Sequence, residues 1–138
     1  MNIDRFKEHH ANIIHGIDTL RKLAHQGIAD HADDIASELK KLAQLVTQHL
    51  AIEDRILYPT LEHCGHDHIA RMSLAYQNDM KGIANAFISF SRRWSNSAQL
   101  SSAPEAFRSE ANSVLKDVHG RIARENREFY PAIETLTL

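Results

Sequence analysis

The sequence has one cysteine, Cys64, so no disulfide can form within the chain, and a lone thiol fits a reducing compartment. It has no dominant sign of charge: sixteen Lys and Arg against eighteen Asp and Glu leave a formal net charge of -2. Basic residues alternate with acidic ones, which argues against a nucleic-acid partner or an anionic membrane surface. No run approaches the roughly eighteen apolar residues of a membrane span. The start, Met1-Asn2-Ile3-Asp4-Arg5, has no apolar signal region, so a cytoplasmic protein is expected. There is no strand alternation, low-complexity segment or glycine-rich phosphate loop. Gly-x-Ser-x-Gly, a Ser-His-Asp order and a cysteine with an evident histidine partner are all missing, which removes support for nucleophilic hydrolysis. At 138 residues the chain is expected to be one domain with a real core.

What the sequence has in excess is histidine, ten residues, together with an internal repeat. Glu53-Asp54-Arg55-Ile56-Leu57-Tyr58-Pro59-Thr60-Leu61 returns as Glu125-Asn126-Arg127-Glu128-Phe129-Tyr130-Pro131-Ala132-Ile133. The repeat divides residues 1–138 into two related helical pairs, about 1–64 and 65–138.

Residues 3–26 carry Phe6, Ile13, Ile17, Leu20 and Ala24 at helical spacing, with Gly27 as a C-cap. His10 falls inside that stripe, His9 lies at its margin, and His15 lies about 140° away. Asp30 is the expected N-cap of a second helix. Its stripe is Ile35, Leu39, Leu42, Leu45, Val46, Ile52 and Ile56, and it includes His49 and Glu53. A third helix is expected over Asp67–Trp94, with Ile69, Leu74, Met80, Ile83, Phe87 and Ile88 inward. Residues 95–101 read as a polar loop, and Ser102-Ala103-Pro104-Glu105 as a capping box opening the fourth helix. That helix runs to about Tyr130 with Phe107, Val114, Leu115, Val118, Ile122 and Phe129 inward. Arg121 and Glu125 share this face, while His119 is about 120° off it. Pro59 and Pro131 are expected to end their helices, with Tyr58 and Tyr130 packing at the bundle end. Four amphipathic helices with short connections predict an all-α, antiparallel up-down-up-down four-helix bundle. Ionisable side chains on a core face are costly to bury unless hydrogen-bonded or metal-bound, which singles out His10, His49, Glu53 and Glu125.

This constellation resembles the hemerythrin-like (HHE cation-binding) family over nearly the whole chain. The family pattern is a histidine on the first helix, His-x-x-x-Glu on the second, a histidine on the third and His-x-x-x-Glu on the fourth, with Tyr-Pro or Phe-Pro commonly following. The resemblance implies a non-haem iron centre, mononuclear or dinuclear, with His10, His49, Glu53 and Glu125 as metal ligands and the glutamates as bridging carboxylates. Two positions depart from the pattern. Arg121 stands where the fourth-helix histidine is expected, and Tyr76 or Gln77 stands where the third-helix histidine is expected, so these three are further candidate contacts. The role implied is binding or sensing a small ligand or redox state (oxygen, nitric oxide or iron itself) rather than catalytic turnover. A different reading stays open, in which Arg121 neutralises Glu53 and Glu125 in a metal-free bundle that binds a protein partner. An iron-oxidising or repair enzyme is the third. The turn His63-Cys64-Gly65-His66-Asp67-His68 is also dense in donors, but its spacing fits no standard zinc pattern.

Overall fold

The computed structural model describes residues 2–136. Among these, every regular element is helical, and no helix is long and apolar enough to cross a membrane. The four long helices are α1 (Asp4–Gln26), α2 (Ala32–Ile52), α4 (Asp67–Trp94) and α6 (Pro104–Arg124). Short helices α3 (Tyr58–Glu62), α5 (Ser97–Ser102) and α7 (Tyr130–Glu134) complete the chain. α1 packs on α2 and α6, and α4 packs on α2 and α6, so the long helices close a ring around one core. This is the expected all-α bundle.

Several boundaries follow local chemistry. Gly27 ends α1 with φ 127°, and its N–H donates to the Ala24 carbonyl, the left-handed cap that glycine adopts without a Cβ penalty. The N-cap of α2 is His31 rather than Asp30, and His31 returns its ring to the Gly27 carbonyl. The expected loop after Trp94 contains α5, because the Asn96 side chain accepts from the amides of Ala98 and Gln99 and so caps a helical turn. The capping box does not form: Ser102 donates to the Gln99 carbonyl, and Ala103 precedes α6 with Pro104 in its first turn.

The largest departure concerns the two prolines. Neither ends its helix. Glu53–Leu57 and Glu125–Phe129 are π turns, and the chain continues through them into α3 and α7. Each π turn closes with a tyrosine amide on a glutamate carbonyl: Tyr58 N–H on Glu53 and Tyr130 N–H on Glu125. A proline lacks an N–H and crowds the carbonyl four residues back. Inserting one residue into the preceding turn relieves that crowding while keeping the other amides paired. The insertion also rotates the downstream residues by about 100°. Ile56, expected inward, is therefore 49% exposed, whereas Leu57 is fully buried. Leu74, also expected inward, is 50% exposed; Ser73 and Tyr76 take the core face of α4 there.

The apolar interior is split in two. One cluster includes Ile13, Ile17, Leu39, Val46, Phe87, Phe107 and Ile122. The other includes Phe6, Leu57, Tyr58, Tyr76, Phe129 and Tyr130 at the opposite end. Along α1 the crossing from one to the other falls at His10, along α2 at His49 and Glu53, and along α6 at Arg121 and Glu125. Those five side chains form a buried polar layer.

The π turn makes a sharp expectation for stability. Leu57→Ala should cost roughly 2–5 kcal/mol by cavity formation, whereas Ile56→Ala should stay within about 0.5 kcal/mol. Urea unfolding of the two variants checks this, and an uninterrupted α-helix with Ile56 on its core face would reverse the order.

Candidate metal centre

The polar layer is built by phase. His49 and Glu53 are four residues apart on one face of α2 as it enters its π turn, and the side chain of Glu53 stands 3.3 Å from His49 (Oε1 to Nε2). His10 comes from α1 and presents Nε2 at 3.1 Å from His49 Nε2 and 3.2 Å from Glu125 Oε1. His10, His49 and Glu125 each offer one donor atom, all within 4.8 Å of one another and all buried. Glu53 is fully buried beside them.

Neighbours orient both rings. His10 Nδ1 lies 2.7 Å from the Asn126 side-chain oxygen, so the N–H at Nδ1 donates outward and leaves the Nε2 lone pair facing inward. His49 Nδ1 lies 3.2 Å from His9 Nδ1, which gives its outer nitrogen a partner as well. Metal-binding imidazoles are typically held this way, with the far nitrogen hydrogen-bonded to fix tautomer and orientation. His9, at the margin of the α1 stripe, thus supports the site from outside, and Asn126 is a supporting residue that helical phase alone did not single out.

The electrostatics are unfavourable for the side chains by themselves. All four carboxylate oxygens of Glu53 and Glu125 are buried without a hydrogen-bond partner. Burial, and next the charge of Glu125, push the Glu53 carboxyl well above the usual carboxylate range. Burial, with His10 and His9 nearby, lowers His49 to about 3, so its ring is neutral around pH 7. Taking a carboxylate out of water typically costs several kcal/mol, and a proton shared between Glu53 and Glu125 is the one compensation the side chains offer each other. Two inward imidazole nitrogens and two carboxylates are a donor set that suits a hard or borderline cation.

Arg121 does not close this set. Its guanidinium hydrogen-bonds the Tyr76 carbonyl, lies 4.2 Å over the Tyr76 ring, and stands 3.7 Å from Asp79. It forms no ion pair with Glu53 or Glu125 among the described residues, because its long side chain crosses to α4 instead of staying on the α6 face that carries Glu125. Its positive charge eases the ionisation of Glu53, but burial outweighs it. Tyr76 stacks on Phe129 at 4.5 Å and donates its hydroxyl to Glu128, and Gln77 reaches Asp54, so neither points into the layer. The residues that do point there beyond the four candidates are Tyr58 and Tyr130. Burial and the two glutamates hold both hydroxyls in their protonated form. Helical phase places them elsewhere, and only the π turns bring them in. In the His63–His68 turn, His63 bonds the Pro59 carbonyl and Cys64 the His66 carbonyl, both at the exposed end of α3.

A buried layer of imidazoles and carboxylates within a four-helix bundle is a cluster of potential metal ligands. The comparison with protein families agrees: the hemerythrin HHE cation-binding domain model matches residues 1–133, and the chain belongs to that family. No curated protein and no solved structure gives a significant match.

The two buried titrations set opposite pH limits on the chelator-treated protein. Unfolding exposes His49, which takes up a proton below its ordinary 6.5, so stability falls as pH drops from 6.5 towards 3. The folded chain keeps a proton on Glu53 that the unfolded chain loses above 4.5, so stability also falls as pH rises above 4.5. The contributions cancel between those values. Chemical denaturation across pH should show a maximum there, with limbs of up to about 1.4 kcal/mol per pH unit on each side. Glu53→Gln should flatten the alkaline limb; a limb of unchanged slope would contradict the assignment.

Proposed function

We propose that this chain is a non-haem iron-binding protein that binds or senses a small ligand or redox state, with oxygen, nitric oxide and iron itself as the candidate signals. The observation that carries the reading is the set of orphaned Glu53 and Glu125 oxygens beside two imidazoles whose inner nitrogens converge to 3.1 Å of each other while their outer nitrogens are held by Asn126 and His9. His10, His49 and Glu125 make a two-histidine, one-carboxylate set, the combination that non-haem ferrous sites use with positions left open. Glu53, beside His49, is the fourth ligand. When bound, the metal supplies the redox and small-molecule binding chemistry. The protein supplies two fixed rings, two anions and a dry surround.

Access is consistent with a small ligand. A surface groove lined by Lys7, His10, Ala11, Ile14, Asn126 and Glu134 reaches one edge of the layer. A change in the metal would act on side chains that join α1, α2 and α6, and so on bundle packing, which is how such a centre signals. A cytoplasmic setting accords with the single cysteine.

The stability of the folded state provides the test, since a ligand of that state stabilises it by mass action. Under anaerobic conditions, ferrous iron at about a hundredfold excess over Kd should raise Tm by on the order of 10 °C. Chelator should reverse the rise and His49→Ala should abolish it. A Tm indifferent to ferrous iron and to chelator would contradict the proposal.

A further inference from the structure

Tyr130 packs at the bundle end, and its hydroxyl stands 3.0 Å from His10 Nε2. That nitrogen is the atom from which His49 Nε2 lies at 3.1 Å and Glu125 Oε1 at 3.2 Å. Three donors from α2, the second π turn and α7 thus converge on one imidazole nitrogen, and the phenol is one of them. We infer that Tyr130 is itself a metal ligand, contributing a phenolate oxygen beside His10, His49 and Glu125 in the place of a missing imidazole. The inference rests on the proposed metal-binding reading and adds to it the ligand that gives the site an optical signature.

The hydroxyl has one hydrogen-bond partner, the imidazole nitrogen itself. His10 donates its Nδ1 proton to Asn126, so its Nε2 is an acceptor, and without a cation the Tyr130 hydroxyl donates to it. A metal on His10 Nε2 takes that lone pair and ends the hydrogen bond. Tyr130 is then a fully buried oxygen within reach of the cation. It cannot swing away. Its ring is stacked on His10 at 4.8 Å with an 18° tilt, and flanked by Phe129 at 6.1 Å and Phe6 at 6.5 Å. Coordination exchanges the phenolic proton, released to solvent, for a metal–oxygen bond.

The repeat explains why the tyrosine is where it is. Five residues along an α-helix from Glu125 would put Tyr130 about 140° round the axis. The π turn closes on that interval, Tyr130 N–H to Glu125 carbonyl, and brings both side chains to the centre. The other copy has the same turn, but the Tyr58 hydroxyl is buried with no partner and touches neither ring nitrogen, so it is not in the donor set. An anionic oxygen donor also suits the harder ferric state.

The test uses the untagged full chain loaded anaerobically with ferrous iron, its iron content measured, then oxidised with ferricyanide. Wild type should develop a visible phenolate-to-ferric charge-transfer band, and resonance Raman excited within it should show enhanced phenolate ring modes. Tyr58→Phe should keep both. Tyr130→Phe should hold iron and lose both, with its helical circular dichroism unchanged. Should Tyr130→Phe fail to fold or load, wild type, Tyr58→Phe and Tyr76→Phe still carry the assignment, because the chain has three tyrosines. Iron bound without phenolate modes, or modes lost in Tyr58→Phe or Tyr76→Phe, would overturn the role of Tyr130 and leave metal binding standing. No iron in wild type would overturn both.

Discussion

Everything in this bundle depends on the meeting of Glu53 and Glu125 with His10 and His49 in a layer that water does not reach. Apolar clusters lie on both sides of it, so the layer is the floor of one and the ceiling of the other. Bundle helices would pack at least as well around leucines in those positions, since buried charges are rarely repaid by their own attraction. The four oxygens are left without protein donors, and the outer nitrogens of both rings are already engaged by Asn126 and His9. The rings are oriented from outside and the carboxylate oxygens are unpaired within, which is the arrangement the proposed metal would complete.

The same layer explains the two π turns. A proline six residues after each glutamate forces the ladder to widen at the point where the glutamate enters the core. Widening keeps the glutamate inward, moves Ile56 out and Leu57 in, and swings Tyr58 and Tyr130 towards the carboxylates. One backbone device, present twice, therefore shapes both core packing and site chemistry. Arg121 takes part from a distance. It occupies a histidine's place in the pattern, but its stacking on Tyr76 and its bond to that backbone carbonyl tie α6 to α4.

Much of this is legible in the residues. The 3.6-residue stripes locate four long helices, and the third, Asp67–Trp94, has the ends expected of it. The inward direction of His10, His49, Glu53 and Glu125 follows from phase alone, because on an unbroken α-helix a position four residues from a core residue is also a core position. Phase fails where the helix changes period. A π turn has no residue signature in hydrophobicity, so Ile56 lies away from its expected place, both tyrosines pack at the bundle end as expected but with their hydroxyls turned to the polar layer, and each proline causes a wider turn instead of a stop. Side-chain reach is equally hidden in a sequence. Arg121 lies on the face expected of it, yet its charge ends up over Tyr76, since a long flexible side chain goes where stacking and a carbonyl hold it. Leu45, Ile83 and Val114 are half-buried at the edge of the core, as stripe margins are.

The central claim is that the buried layer holds a metal, and iron stoichiometry tests it most directly. The chain should be purified without a tag or chelator, reconstituted anaerobically with ferrous iron, desalted and analysed by mass spectrometry beside a His10→Ala, Glu125→Gln variant. About one iron per chain is expected in wild type, as a two-histidine, two-carboxylate set holds, and almost none in the variant. Wild type that retains no more iron than the variant would contradict the claim.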